Sequence, residues 1–191
     1  MDWKRQKLYV LYLTQELEFA AYSFAELREE LRSFDLDEMT RRAHEFASHA
    51  ASASRMLWPS TKQARSRGAM LRQILGIAND HPLACRRLRN TLEHFDERLD
   101  VHIEKWDGAG TIWQAFGADD TTMSTHWVVR NFQPASMTYS ILGEDFDLKA
   151  LWDAVQSVGN ASYALLDERY RAGGGTLNLL RTFPQRRVLR G

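Results

Sequence analysis

The sequence predicts a mainly α protein, a single helical bundle of about five helices with a β-hairpin before the last long one. Three observations carry this: long apolar repeats at three- and four-residue steps, proline and glycine punctuation between them, and one short stretch where the period changes to two. From Trp3 to Leu31, Leu8, Leu11, Tyr12, Phe19, Tyr22, Phe24, Leu27 and Leu31 recur at helical spacing among acidic and basic residues, which predicts a long amphipathic helix. Asp35 or Asp37 caps a second, through Met39, Ala43, Phe46, Ala50 and Ala53 to Trp58, where Pro59 stops it. Its alanine and serine density predicts close helix contact. Arg55 to Arg72 contains five basic residues and no acid, and reads as a solvated loop with a short helix.

Asn79-Asp80-His81-Pro82 is a helix start, with Asp80 as cap and Pro82 in the first turn, where its missing N–H costs nothing. One helix is expected from there to Trp106, burying Cys85, Leu88, Leu92, Phe95, Leu99, Ile103 and Trp106, with Asp107-Gly108-Ala109-Gly110 ending it. Between His126 and Leu142 two β-prone runs flank Pro134, predicting a hairpin laid on the helices as a local ornament. The final helix runs from Asp147 through Leu151, Trp152, Val155, Val158, Tyr163 and Leu166 to Tyr170. The domain therefore covers 1–172, and 173–191 forms a glycine-rich break and basic tail, mobile or docked on a partner.

Twenty-five basic residues balance twenty-five acidic ones over 191 residues, so no global field gathers nucleic acid or membrane, and any electrostatic footprint is local. No apolar run approaches the ~18 residues of a membrane span, and the single cysteine, Cys85, reads as a small packing residue of a protein in a reducing compartment. A cytoplasmic protein without a membrane segment is expected. The six tryptophans read as core, and the histidines His81, His102 and His126 as structural. His44 and His49 imitate a zinc-protease signature, but stand five apart and off one helical face, so no metal site and no cofactor is expected.

Chemistry concentrates at Arg89-Asn90-Thr91-Leu92-Glu93-His94, expected on the polar half of the motif helix with Asp96 and Glu97. Asn90 and His94 are one turn apart; Arg89 and His94 are about 140° apart around the axis, so they meet at a phosphate lying between them or across a partner helix. Arg89 and Glu93 are spaced for a one-turn ion pair. The run Arg89, Asn90 and His94 resembles the signature of the HEPN superfamily, an arginine, a polar residue and a histidine in a late helix of a small, often dimeric bundle. The resemblance implies a metal-independent endoribonuclease of a toxin or defence system, neutralised in some cases by an antitoxin or regulatory protein. It makes His94 the general acid or base, Arg89 the stabiliser of phosphorane charge, and Asn90 the orienting amide. Arg86 and Arg98, with Arg65 and Arg67 from the basic segment, are the candidate RNA-binding residues. The tyrosine that some members carry two residues after the histidine is Asp96 here, which leaves its regulation unsupported. The competing reading is a non-catalytic helical dimerisation or interaction module using Arg89, Glu93, Asp96 and Glu97. A third reading binds RNA or another anion without cleaving it.

Overall fold

The computed structural model describes residues 2–33, 35–108, 110–118, 122 and 126–173. Among these the protein is mainly helical, with helices α1 (Trp3–Ser33), α2 (Leu36–Leu57), α3 (Arg65–Leu75), α4 (Arg86–Glu93), α5 (Phe95–Glu104) and α6 (Leu148–Ala172). A four-stranded sheet, β1 (Gly110–Phe116), β2 (His126–Gln133), β3 (Thr138–Ile141) and β4 (Glu144–Asp147), stands between α5 and α6. The glycine run beyond Gly173 and the arginine tail lie outside the described residues. No helix among those described is long and apolar enough to cross a membrane.

Helix boundaries follow local chemistry. Asp35 is the cap of α2, its carboxylate accepting the Glu38 N–H at 3.1 Å, and Asp147 caps α6 through the Lys149 and Ala150 N–H groups. Trp58, just before Pro59, ends α2. Gly68 lets α3 lie close to that end: a Cβ there would stand 2.5 Å from the Pro59 ring and 2.6 Å from the Leu57 carbonyl. Between β3 and β4 the two-residue turn Leu142-Gly143 has φ of 50° and 78°, the left-handed pair that matches strand twist, and glycine takes the second place without strain.

The core is one cluster drawn from every layer: α1, α2 and α6 supply most of it, and Phe132, Tyr139, Ile141 and Phe146 of the sheet join it. The sheet is thus part of the core and more than a hairpin. β2 and β3 pair antiparallel as expected, but β4 extends them, and β1 runs parallel to β2 with Ile112 opposite Val128.

Helix α1 departs most from expectation. Its buried face is Val10, Leu13, Leu17, Ala20, Ala21, Phe24 and Leu27, whereas Leu8, Leu11, Tyr12, Phe19 and Tyr22 lie exposed on the opposite side. The helix is apolar on two faces: the outer carries large side chains, and the inner joins Val10, Leu13, Leu17, Phe24 and Leu27 to the small Ala20 and Ala21 against α2 and α6. The single helix expected from Pro82 to Trp106 is also three pieces. Pro82–Ala84 is one 3-10 turn, Cys85 turns extended at ψ 118°, α4 restarts at Arg86, and the chain bends at His94. The cap is His81, whose Nδ1 accepts the Leu83 N–H, and not Asp80. The bend lets Phe95 meet the Arg130 guanidinium (5.0 Å) and His102 the Trp127 ring (4.8 Å), so α5 leans on the sheet. Cys85, Ile103 and Trp106 consequently end up exposed, as does Trp113, against the core roles expected of them.

Candidate functional site

Arg89 does not sit on a solvated helix face. It is 2% exposed and among the largest fully buried side chains of the protein. Two arginines finish the C-terminus of α2, where the last carbonyls have no partner within the helix: Arg72 donates to the Leu57 carbonyl, and Arg89 Nη1 donates to the Trp58 carbonyl at 2.7 Å. The Arg72 guanidinium also lies 5.6 Å from the Trp58 ring, which stacks on His81 at 6.0 Å. The negative end of the α2 dipole is the natural counter-charge for both cations.

This leaves Arg89 incompletely matched. Its Nε is buried without a hydrogen-bond partner, and among the described residues no carboxylate lies within ion-pair distance of it. The one-turn pair with Glu93 is not formed, because Glu93 accepts from Arg55 Nη1 at 3.0 Å. Burial lowers the Arg89 pKa, opposed by the Glu93 charge and helped by the Arg86 and Arg55 charges.

Arg89 also lines a cavity of about 210 Å3 between α2, the Pro82–Ala84 turn, α4, β4 and the start of α6. Ala50, Ala51, Leu83, Leu88, Phe146 and Leu151 make its wall mostly apolar. Small residues on facing helices, Ala50 and Ala51 against Ala150, leave the space open; the alanine density of α2 signals this void as much as the expected close contact. Arg87 is a second cation on the lining, held by Nη2 to the Asp145 carbonyl at 2.6 Å, with its guanidinium 5.3 Å from the Phe146 ring. Ser54 Oγ donates to the Leu83 carbonyl at 2.6 Å, and one Asp147 oxygen is occupied by the two N–H groups it caps. Neither Arg87 nor these polar residues stood out in the sequence, since what unites them is a tertiary void.

The remaining site candidates scatter. His94 occupies the bend after α4 with its side chain 54% exposed, and its Nδ1 lies 3.4 Å from Glu97. Asn90 is half-buried, and its carbonyl accepts the His94 N–H at 3.1 Å. No side-chain hydrogen bond or ion pair joins Arg89, Asn90 and His94 among the described residues. Arg98 is committed to Glu144, which also receives the Thr91 hydroxyl at 3.2 Å, while Arg86 is exposed. Arg65 and Arg67 stand at the start of α3, away from the cavity lining; Arg67 reaches the Arg55 carbonyl and the face of Tyr9. His44 and His49 are held apart, by the Tyr139 hydroxyl and by Glu16, each at 3.0 Å. Comparison with family models, curated proteins and solved structures returned no match to this chain.

Proposed function

We propose that the protein is a helical ligand-binding module that receives a small organic anion at Arg89. The observation that carries this is the buried guanidinium itself, with no carboxylate in contact among the described residues. Arg42, Arg67 and Arg130 also have a buried, unmatched Nε–H, but of these four only Arg89 lines the cavity, and its Nε, closed to water as the side chain stands, reaches an anion there by a turn of the guanidinium. A buried charged donor without an acceptor costs more than about 1–3 kcal/mol, and a carboxylate or phosphate oxygen is the acceptor that relieves it best. An apolar cavity of ~150 Å3 holds benzene, and drug-sized sites run to ~300–1000 Å3. The 210 Å3 here suits a one-ring or short-chain carboxylate, its apolar body against Leu88 and Leu151. Thermal melts in a series of aromatic and aliphatic carboxylates and inorganic phosphate test the reading. At 100 times Kd an occupant adds about 2.7 kcal/mol, or roughly 5–11 °C for a domain of this size. Arg89→Met removes that shift. A wild-type melt indifferent to every anion beyond its ionic strength, or an undiminished shift in Arg89→Met, overturns the reading.

A second reading is the metal-independent ribonuclease implied by the HEPN-like motif, acting as a dimer in a toxin or defence setting. It is favoured by one observation: His94, with Glu97 3.4 Å from its Nδ1, stands exposed at the α4–α5 bend, five residues after an arginine that has no carboxylate within ion-pair distance among the described residues. It uses Arg89 on a phosphate and His94 in proton transfer. Cleavage of RNA by the purified protein in EDTA, abolished in His94→Ala, supports it; inert RNA, or cleavage unchanged in that variant, sinks it.

A further inference from the structure

We propose that two copies of this chain associate through the outer face of α1, antiparallel and centred on Gln15; the proposal is independent of the anion site. At about 100° per residue, Leu8, Leu11, Tyr12, Gln15, Phe19 and Tyr22 fall within an arc about 100° wide, opposite the buried face. All six are exposed, from 37% for Leu11 to 68% for Leu8 among the apolar ones. A helix needs one apolar face to join its own core. A second, made of large side chains and running for about 21 Å, is the pattern of a helix that also packs outside its own chain.

The occupant follows from the symmetry of the stripe. Leu8 and Tyr22 lie seven residues either side of Gln15, and Leu11 and Phe19 four residues either side. Turning a second copy about an axis through Gln15 therefore sets Leu8 on Tyr22 and Leu11 on Phe19, twice over, which is the self-matching that a two-fold interface requires. Charge agrees with shape. Exposed Lys4 stands eleven residues before Gln15 and exposed Glu26 eleven after it, so each basic end meets the acidic end of the other copy. A parallel pairing would instead oppose like charges. Glu26 already contacts Arg42 of its own chain, yet its side chain remains 50% exposed and open to a second cation. Exposed ion pairs add little affinity, but they fix direction. A helix pair of this length covers less than the ~800 Å2 per partner of a standard interface, so the dimer is weak, on the order of micromolar.

Sedimentation velocity of the full chain across a concentration series tests this. The wild type is expected to pass from monomer to dimer below on the order of 100 µM. Gln15→Leu tightens the dimer and Phe19→Glu weakens it at least about tenfold, because every change at a two-fold interface acts twice. Gln15→Lys and Gln15→Glu both weaken it, since residue 15 faces its own copy; a different partner surface would answer those two in opposite senses. Lys4→Glu and Glu26→Lys each weaken self-association, as they would not in a parallel pair that already opposes like charges, and an equimolar mixture of the two restores it, because an acidic variant then faces a basic one. Circular dichroism confirms that each variant is folded, as expected for exposed positions. A wild type monomeric throughout the series, or association unaffected by Phe19→Glu and by both charge reversals, overturns the proposal.

Discussion

Arg89→Met removes a charge from the interior while keeping an unbranched side chain of similar length, and three contributions decide the outcome. The hydrogen bond to the Trp58 carbonyl is lost, worth about 1.5–3 kcal/mol for a charged donor, a figure that already includes most of the dipole attraction at the end of α2. Against this, the guanidinium no longer has to be held out of water; replacing a whole buried ion pair by apolar groups of similar volume is neutral or stabilising by roughly 1–4 kcal/mol, and the relief for a single cation falls within that range. The unmatched Nε–H of this charged group, which costs more than about 1–3 kcal/mol, disappears with it and overlaps that gain. The contributions nearly cancel, so stability is expected to stay within about 2 kcal/mol of the wild type, a Tm change of no more than roughly 8 °C. Arg89→Lys has the worse balance: the charge remains buried while the reach to Trp58 and the planar fork are lost. Urea and thermal unfolding followed by circular dichroism should therefore rank wild type and methionine close together, with lysine below both. Loss of about 3–5 kcal/mol in Arg89→Met, the cost of breaking a fully matched buried charge pair, would show that Arg89 has the partners this account denies it.

Burial lowers the pKa of His44, of His81 and of His102, with the Arg130 charge adding to the effect at His44 and the Lys105 charge at His102. The unfolded chain then binds protons more readily than the folded one below about pH 6.5, so stability is full above that pH and declines as pH falls through it. Thermal melts from pH 7.5 to 5.5 check this, and His81→Asn, which keeps a capping oxygen, should flatten part of the slope. Glu144 gathers Arg98, Arg87 and the Thr91 hydroxyl where β4 meets α4 and α5; Glu144→Gln should cost only about 1 kcal/mol in urea unfolding, because the cluster is partly exposed and screened by solvent. Gly68→Ala should cost about 1–3 kcal/mol, since its methyl meets the Leu57 carbonyl, which cannot swing aside as a side chain can. His94→Ala, at an exposed bend, should leave stability within about 0.5 kcal/mol, which keeps its RNA assay interpretable.

The sequence resolves whatever local rules decide. Asp35 caps α2, the last helix begins at Asp147, Pro59 follows the end of α2, and β2 and β3 pair where the period falls to two. It misleads where a tertiary partner chooses between two local answers. Both faces of α1 are apolar, and the expected stripe mixed them: its Phe24 and Leu27 are buried, whereas its Leu8, Leu11, Tyr12, Phe19 and Tyr22 lie outside, and Val10, Leu13, Leu17, Ala20 and Ala21 take their place against α2 and α6. The Pro82 to Trp106 repeat continues at helical spacing through His94, yet the chain bends there because Phe95 and His102 gain the sheet as a neighbour. Strand β1 offers little alternation, and its partner β2 lies beyond it in the chain. At the candidate site the arginine was legible and its environment was not. Nothing local to Arg89 announces that the end of α2 arrives to take its Nη1, that Arg55 claims Glu93, or that alanines on two helices leave a void beside it.

The most direct test follows the Arg89 Nε–H by nitrogen-15 NMR of the arginine side chains, assigned by its loss in Arg89→Met, while benzoate is added as the one-ring carboxylate that the cavity volume suits. A saturable downfield shift of that resonance, with perturbation of the Leu88 and Leu151 methyls at the same concentration, is the predicted result. An Nε–H resonance unmoved by benzoate, by short aliphatic carboxylates and by phosphate would contradict the anion site at Arg89.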